Sequence, residues 1–365
     1  MSETRFCKRC VMNDASDHYI RFDENGYCNY CSEALSKIGA SVYFPDEQGE
    51  KKLKAMLDTI KSANKDKPYD CVMGISGGLD SSYLAYLGYR WGLRILAVHI
   101  DDGYDTEISR SNIEKLCKAA HIELRTIAPD AEQFNDLTLA YMKAGVPNLA
   151  IPQDNILYAF LCDTVKKEGL KYFLSGGNFA LESILQRDYV FNSMDVVNIH
   201  DIHRHFGTKP IDKLKFISSY EKYLNGKLKK VVEYRPLNYV DYNRERAFRE
   251  LYDFCGFEYY GSKHLENRLT AFIQLYWLPK KFGVDKRSSH LSSMIVSGQM
   301  SREEAMAELE KPLYDEKMMS EIIAFIEKKI GIDDAAFTDM VNGPCHAHED
   351  YKTDKLAVAL RKVVR

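Results

Sequence analysis

Short apolar runs alternate with stretches of helical periodicity between residues 70 and 174. The apolar runs predict four strands, which are Asp70–Ile75, Arg94–Ile100, Ile122–Ile127 and Lys171–Leu174. The stretches with helical spacing predict four helices, which are Leu79–Trp91, Ile108–His121, Ala131–Ala144 and Asn155–Glu168. Strands that alternate with helices indicate an α/β fold with a parallel sheet covered on both faces.

The pattern changes near residue 200, beyond which the chain is mostly helical and rich in Lys, Tyr and Phe. Helical spacing extends over residues 212–225, 243–254, 263–277, 288–298, 301–310 and 315–329, with a final amphipathic helix around 350–365. We therefore predict three parts. They are an N-terminal module of residues 1–40, a parallel-sheet domain of residues 41–200 and a mainly helical C-terminal domain of residues 201–365.

Composition narrows the class of protein. The chain has 365 residues, 45% of them hydrophobic, and a formal net charge of −3, so no overall basic excess favours nucleic acid as a partner. It contains neither 18 consecutive apolar residues nor the apolar core of a signal peptide, so we expect no membrane partner. These features predict a cytoplasmic protein in which the nine cysteines are reduced, metal-bound or buried.

Four of the cysteines form two C-x-x-C pairs separated by seventeen residues. They are Cys7, Cys10, Cys28 and Cys31. This spacing is typical of a four-thiolate zinc site, and a module of this size has too little core to fold without such a metal. Disulfides or an iron–sulfur cluster are alternatives. Because four thiolates occupy all four coordination positions of a tetrahedral ion, the predicted site is structural and has no open position for catalysis.

The first strand leads into the sequence SGGLDSS, which has the character of a phosphate-binding loop. Its candidate ligand-binding residues are Ser76, Gly77, Gly78, Asp80, Ser81 and Ser82. Glycines bring backbone N–H groups close to an anion, and the N-terminus of the following helix favours negative charge. The loop has no lysine, unlike the commonest nucleotide-binding loop. Asp80 repels phosphate unless a cation lies between them, which predicts a Mg²⁺ ligand; the alternative is a carboxylate that only stabilises the helix N-terminus.

Two further polar loops follow predicted strands, at the edge where parallel sheets bind ligands. Asp101 and Asp102 end the second strand and are predicted to meet a bound ligand or a metal, or else form a solvated loop. After the fourth strand, Gly176, Asn178 and Glu182 are candidates for contact with the same ligand or with Mg²⁺. An ordinary helix position is the alternative for Glu182.

Two adjacent cations, Lys286 and Arg287, follow the glycine-containing loop of FGVDKR. We predict that they neutralise negative charge on a bound ligand, while surface charges are the alternative. His200, His203 and His205 lie close together in HDIHRHFG, but their spacing matches no metal motif. Contact with a sugar or phosphate and a structural role both stay open for these histidines.

The SGGLDSS loop after a strand resembles the PP-loop of the ATP pyrophosphatase superfamily. That resemblance implies that ATP is split between its α and β phosphates, with AMP transferred to a carbonyl or amide oxygen and displaced by a nucleophile. It also implies why the loop lacks a lysine. Such a loop holds the departing pyrophosphate, whereas the lysine of other loops assists transfer of the γ-phosphoryl group.

A longer set of motifs resembles one branch of that superfamily, the N-acetyl sugar amidotransferases of the WbpG type. The motifs, in chain order over residues 5–310, are C-x-x-C, DENGYCNYC, SGGLDSS, VHIDDGYDTE, SGGNFALES and FGVDKRSSHLSSMIVSGQMSREEA. The resemblance implies that residues 41–200 form a PP-loop ATP pyrophosphatase domain. It further implies that ATP and ammonia convert the acetamido group of a lipopolysaccharide sugar, such as a nucleotide-linked diacetamido uronic acid, to an acetamidino group.

The same resemblance gives roles to the candidate residues. It implies that Asp101 and Asp102 meet the adenosine or a metal, and that Gly176, Asn178 and Glu182 contact the AMP part or Mg²⁺. It also implies that Lys286 and Arg287 neutralise charge on the phosphorus under attack or on the departing pyrophosphate.

The resemblance further implies Zn²⁺ as a structural ion, Mg²⁺ as a cofactor and ATP as a substrate. This chain shows no convincing glutaminase, because its N-terminal cysteines belong to the zinc pattern and no second α/β module is left. The family implies a separate glutaminase together with a cyclase-like subunit, both resembling those of imidazole glycerol phosphate synthase. Two other functions stay open at this point, a PP-loop tRNA sulfurtransferase and a non-catalytic zinc or nucleotide scaffold.

Overall fold

Five short strands form one parallel sheet in the computed structural model, which describes residues 4–15, 17–228, 230–261 and 265–355. The strands are β1 Cys71–Gly74, β2 Ile95–Ile100, β3 Glu123–Ile127, β4 Tyr172–Leu174 and β5 Val232–Tyr234. Their order is β3-β2-β1-β4-β5, and all neighbours are parallel. The direction of winding therefore reverses between β1 and β4, and the crevice beyond the ends of these two strands is where such sheets bind ligands.

Helices connect the strands and make up most of the rest of the chain. The first eight are α1 Asn29–Leu35, α2 Glu47–Ala63, α3 Leu79–Arg90, α4 Glu107–Ala119, α5 Ala131–Ala144, α6 Ile151–Lys167, α7 Phe179–Glu182 and α8 Val196–Phe206. The remaining eight are α9 Ser219–Lys227, α10 Arg244–Cys255, α11 Arg268–Phe272, α12 Leu278–Phe282, α13 Arg287–Val296, α14 Arg302–Glu310, α15 Glu316–Ile330 and α16 Asp334–Asn342. A π-helical segment, Ile273–Trp277, joins α11 to α12. No helix within the described ranges is both long and apolar enough to cross a membrane.

Both faces of the sheet are covered, as predicted. Side chains alternate along a strand, so Val72 of β1 packs with Leu161 and Val165 of α6. Its neighbour Met73 packs on the opposite face with Leu84 of α3. The predicted α/β fold class with a parallel sheet is confirmed.

A second apolar core joins α5 and α8 to the C-terminal helices α11, α15 and α16. The helix α15 shows why these helices form, because Asp315 caps its first turn and Gly331, with φ of 72°, ends it. Between the caps, buried apolar side chains recur at three- and four-residue spacing, at Met319, Ile322, Ile326 and Ile330. The C-terminal region is helical, as predicted.

The divisions at residues 40 and 200 stay predictions, and neither the sheet nor the cores follow the second of them. The strand β5 lies beyond residue 200 and pairs with β4, while α5, from the predicted sheet domain, packs with C-terminal helices. The helix predicted over 212–225 begins only at α9, because Ser218 caps that helix and Asn155 accepts the Ile217 N–H. Residues 356–365 of the predicted last helix and 263–264 of the helix predicted over 263–277 lie outside the described ranges.

Candidate active site

The SGGLDSS loop, residues 76–82, which we call the PP-loop after the motif it resembles, leaves β1 and enters α3 through a tight turn held by its own hydroxyl groups. Gly77 adopts φ of 75°, and a Cβ at this position would lie 2.3 Å from the Ser109 carbonyl oxygen, so only glycine fits. Ser76 Oγ accepts the Gly78 N–H at 3.2 Å, and Ser81 Oγ accepts the Ser76 N–H at 3.2 Å. These bonds fix the loop at the N-terminus of α3, where N–H groups favour an anion.

The loop after β4 packs directly on the PP-loop. A Cβ added to Gly176 would lie 2.9 Å from the backbone nitrogen of Ser81, so the two loops meet without a side chain between them. Asn178 Oδ1 accepts the Leu181 N–H at 2.9 Å and caps α7, while its Nδ2 donates to the Gly176 carbonyl at 3.2 Å. The crevice between β1 and β4 is therefore bounded by two mutually braced loops.

Two connected cavities open at this crevice. The loop cavity, of about 220 Å³, is lined by both loops and by α10. The strand-end cavity, of about 250 Å³, has apolar walls from the sheet and α6 and a polar end beside β2. Both cavities are lined by Ser76, Ser81, Gly176 and Glu266. The loop cavity lies at the N-terminus of α3 and therefore suits a pyrophosphate group, whereas the strand-end cavity, with its apolar walls, suits a nucleoside.

Three carboxylates line the loop cavity, from Asp80, Glu182 and Glu266. The buried hydroxyl of Tyr242 donates a hydrogen bond to Asp80 Oδ1. Burial, together with the charge of Asp80, raises the pKa of Tyr242 well above its ordinary value, so this hydroxyl keeps its proton and remains a donor. Carboxylates that face a phosphate site supply the oxygen ligands that Mg²⁺ prefers, so the donor set fits this ion.

A second polar group lies at the end of β2, beside the strand-end cavity. Burial and the nearby charge of Asp105 raise the pKa of Asp102 to about 6, although Asn267 donates a hydrogen bond to its carboxylate at 3.2 Å. His99 Nε2 lies 3.0 Å from Asp105 Oδ2. Burial opposes the charged ring, but the Asp105 carboxylate and the Ile75 carbonyl outweigh burial and raise the pKa of His99. Both ring nitrogens of His99 therefore face acceptors within the protein, and the carboxylates of Asp102 and Asp105 form the polar end of the strand-end cavity.

Seven of the thirteen residues predicted for the active site line one of the two cavities, six of them the loop cavity and Asp102 the strand-end cavity. Those that line the loop cavity are Ser76, Gly78, Asp80, Ser81, Gly176 and Glu182. Gly77, Ser82 and Asn178 lie behind this surface, where the first allows the turn and the third caps α7. Asp101 lies outside the residues lining either cavity, with Arg110 Nη2 at 3.3 Å from its Oδ1.

Lys286 and Arg287 also lie outside the residues lining the two cavities. The Arg287 guanidinium donates to the Asp285 carboxylate and to three backbone carbonyls at the end of α14, those of Glu308, Leu309 and Lys311. These contacts join the start of α13 to the end of α14. The catalytic role of both residues stays a prediction, and the contacts of Arg287 give it a structural role.

Five residues of the loop cavity lie outside the motifs that the sequence analysis identified. They are Arg244, Phe248, Tyr259, Tyr260 and Glu266. Tyr260 Oη accepts the Leu79 N–H at 2.9 Å, at the first turn of α3, and Glu266 Oε1 lies 2.6 Å from where a Gly78 Cβ would be. Nothing local in the sequence marks these residues, because they come from segments that reach the PP-loop only in the folded chain.

The four N-terminal cysteines converge as predicted and form a buried metal site. Their sulfur atoms lie within 4.8 Å of one another, with Cys7 and Cys31 3.8 Å apart and Cys10 and Cys28 3.5 Å apart. A Zn–S bond of about 2.3 Å places tetrahedral ligands about 3.8 Å apart, so the spacing fits one tetrahedral ion. A four-iron cluster holds its thiolates farther apart, because each binds a different iron.

The histidines of HDIHRHFG do not converge. His203 Nε2 lies 2.7 Å from the Lys209 carbonyl oxygen, and His205 Nδ1 lies 2.8 Å from that of Asp201. Burial lowers the pKa of His200. Apart from the cysteine site, the described residues contain one other group with the spacing of metal ligands, formed by His99, Asp101 and Asp105.

Comparison with known proteins finds a family match for the C-terminal part of the chain. Residues 266–364 match the family model described as "LPS biosynthesis protein WbpG-like, C-terminal domain". The match confirms, for this segment, the resemblance to WbpG-type proteins. A search of curated proteins found no match.

Solved structures give weaker likenesses. An NH3-dependent NAD synthetase from Campylobacter jejuni is 20% identical, with a TM-score of 0.28, over 36% of this chain and 58% of its own length, which is less than two thirds. The U34-tRNA thiolase NcsA from Methanococcus maripaludis, with its [4Fe-4S] cluster, is 16% identical with a TM-score of 0.35, over 85% of this chain and 89% of its own. A predicted subunit of a tRNA methyltransferase from Methanocaldococcus jannaschii is 16% identical with a TM-score of 0.31, over 60% of this chain and 90% of its own. Similarity at this level carries no conclusion about activity.

Proposed function

We propose that this protein is an ATP-dependent amidotransferase that converts the acetamido group of a bacterial surface-polysaccharide sugar to an acetamidino group. One observation carries the proposal. The WbpG-like segment begins at Glu266, and Glu266 lines both the loop cavity and the strand-end cavity. A C-terminal domain typical of lipopolysaccharide biosynthesis therefore meets a PP-loop at the junction where the α-phosphate of a bound ATP would lie.

The reaction has two steps. The acetamido oxygen attacks the α-phosphorus of ATP, the α–β phosphate bond breaks, and pyrophosphate leaves with the bonding electrons. Ammonia then adds to the imidate carbon, the C–O bond breaks, and AMP leaves, which gives a protonated amidine. Adenylation is needed because an amide oxygen is otherwise too poor a leaving group for ammonia to displace.

The residues around the two cavities fit this sequence of steps. The backbone N–H groups of the PP-loop and the N-terminus of α3 hold the departing pyrophosphate, and the apolar strand-end cavity holds the adenosine. Asp80, Glu182 and Glu266 are the candidate ligands of Mg²⁺, which when bound neutralises phosphate charge. The reaction requires that water, which would hydrolyse the adenylated amide, be kept from the junction while the intermediate exists.

The remaining components are proposed on chemical grounds. Zn²⁺ is the proposed ion of the cysteine site, since four buried thiolates at tetrahedral spacing are typical of structural zinc. Ammonia comes from a partner glutaminase with a cyclase-like subunit, in the cytoplasm, where ATP is available. The preferred substrate is a nucleotide-linked diacetamido uronic acid.

Mass spectrometry tests the proposed reaction. The full-length protein is incubated with ATP, Mg²⁺, ammonium and a nucleotide-linked acetamido sugar, and the expected product is one mass unit lighter because NH replaces O. The variant Asp80→Asn should lose formation of AMP, pyrophosphate and amidine while the metal content of the cysteine site stays unchanged. Formation of AMP and pyrophosphate with tRNA and a sulfur donor, and not with any acetamido sugar, would refute the proposal.

A further inference from the structure

The PP-loop lacks the lysine of other phosphate-binding loops, and the structure brings a different cation to its cavity. Among the described residues that line the loop cavity, Arg244 is the only Lys or Arg, beside the carboxylates of Asp80, Glu182 and Glu266. We propose that Arg244 contacts the pyrophosphate that departs when ATP is split. This inference rests on the proposed function, because it assigns a residue to the leaving group of that reaction.

The backbone of Arg244 is fixed at the start of α10. Asn243 caps that helix, and the Arg244 N–H donates to Gln299 Oε1 at 2.7 Å. Pyrophosphate resting on the PP-loop therefore faces a cation whose main chain is already in place. Preorganisation of this kind lowers the entropy lost when a ligand binds.

The guanidinium is held by aromatic rings and not by an acid. Its central carbon lies 5.0 Å from the ring centre of Phe248 and 5.5 Å from that of Tyr259, and Nη2 donates to Tyr259 Oη at 2.8 Å. Within the part of the chain that the structure describes, no carboxylate pairs with Arg244 and its other side-chain N–H groups make no hydrogen bond. An arginine stabilised on its faces keeps its edge for a bidentate contact with phosphate oxygens.

Size and charge favour pyrophosphate over the sugar as the partner of Arg244. The loop cavity of about 220 Å³ is shared by Arg244 and the PP-loop, so pyrophosphate on the loop fills the space in front of the guanidinium. Pyrophosphate also carries more negative charge than a single Mg²⁺ neutralises. Arg287, which was predicted to neutralise pyrophosphate, is instead occupied by Asp285 and by backbone carbonyls.

Calorimetric titration of Mg²⁺-pyrophosphate into the full-length, metal-loaded protein with AMP present tests the inference. Loss of a charged hydrogen-bonding partner predicts that Arg244→Gln weakens pyrophosphate binding about tenfold to a hundredfold, with Arg244→Lys between that variant and the wild type. AMP affinity should stay unchanged in both. Arg249→Gln is the matched control, because Arg249 lies exposed on the same helix, and it should bind pyrophosphate like the wild type.

Three results would overturn the inference. The first is unchanged pyrophosphate affinity in Arg244→Gln. The second is an equal loss of AMP and pyrophosphate affinity in both Arg244 variants, which would indicate that Arg244 only supports the aromatic wall. The third is an increase in the KM for the acceptor sugar with pyrophosphate affinity intact, which would place the guanidinium on the sugar.

Failure of the inference and failure of the proposed function give different results, because pyrophosphate binding needs no acceptor. A wild-type protein that binds AMP and pyrophosphate but forms no amidine would leave the role of Arg244 standing and refute the amidotransferase. Amidine formation by the wild type, with full pyrophosphate affinity in Arg244→Gln, would support the amidotransferase and refute the role of Arg244.

Discussion

The contact between the PP-loop and the loop after β4 leaves room for a Cβ at Gly177 but not at the adjacent Gly176. A Cβ at Gly176 would lie 2.9 Å from the Ser81 nitrogen and 3.1 Å from the Asp80 carbonyl carbon, both in the backbone of α3. A Cβ at Gly177 would meet Ser175 Oγ at 3.4 Å and then Arg235 Cζ at 3.7 Å, which are ordinary contacts. Neither glycine has a positive φ, so alanine is compatible with both backbones.

The expected difference follows from two opposing effects. Each substitution reduces the entropy of the unfolded chain, which stabilises by about 0.4–1 kcal/mol. Only Gly176→Ala adds overpacking against a backbone that cannot rotate away, at a cost of about 1–3 kcal/mol. The entropy gains cancel between the variants, so Gly176→Ala should be less stable than Gly177→Ala by about 1–3 kcal/mol.

Urea unfolding followed by circular dichroism measures this difference, and calorimetry with ATP measures its effect at the site. We expect a lower unfolding midpoint for Gly176→Ala than for Gly177→Ala. Weaker ATP binding than in the wild type should accompany it, because the added methyl group displaces the first turn of α3. Equal midpoints for the two variants, or wild-type ATP affinity in Gly176→Ala, would contradict the proposed bracing of one loop by the other.

Three further predictions concern metal, pH and the α13–α14 joint. Cys28→Ser should release the bound metal and lower the unfolding temperature, whereas Cys345→Ser, at an exposed cysteine, should change neither metal content by atomic absorption nor stability. The folded state raises the pKa of Asp102 from 3.8 to about 6, so the free energy of unfolding should decline as pH rises across that interval. In Asp102→Asn, urea titrations at several pH values should show a smaller decline. Arg287→Ala should lower stability by about 1–3 kcal/mol through loss of its bonds to Asp285 and α14, with ATP affinity unchanged; lost pyrophosphate formation at full stability would instead support the predicted catalytic role.

The strands were predictable where a local apolar run marks them. All of β1 and the first four residues of β2 are apolar, and polar loops follow both strands, which is the pattern of buried parallel strands. The strand β5 was missed because it is only three residues long and none of them is fully buried. Its place in the sheet depends on pairing with β4, which no local periodicity records.

The residues of the active site were likewise predictable only where a local sequence motif marks them. Asp80 was found because it lies in a continuous motif at a predicted strand–helix junction. Arg244 and Glu266 come from a helix and a loop remote in sequence, and only tertiary packing brings them to Gly78 and its neighbours. The sequence shows that Lys286 and Arg287 are adjacent cations, but it does not show which groups their side chains contact. In the structure, the Arg287 guanidinium donates to the carboxylate of Asp285, two residues earlier.

The cysteine site is hydrogen-bonded to α13 and α14, which are synthesised long after the cysteines, and this affects the order in which the parts of the protein fold. The Val11 N–H donates to Ser292 Oγ at 3.1 Å, and Arg302 Nε donates to the carbonyl oxygens of Cys7 and Cys10. At synthesis rates of about 5–20 residues per second, the partners of these groups leave the ribosome roughly fifteen seconds to a minute after the cysteines. The four thiols are thus available to take up their ion while still exposed, and α13 and α14 enclose the loaded site afterwards.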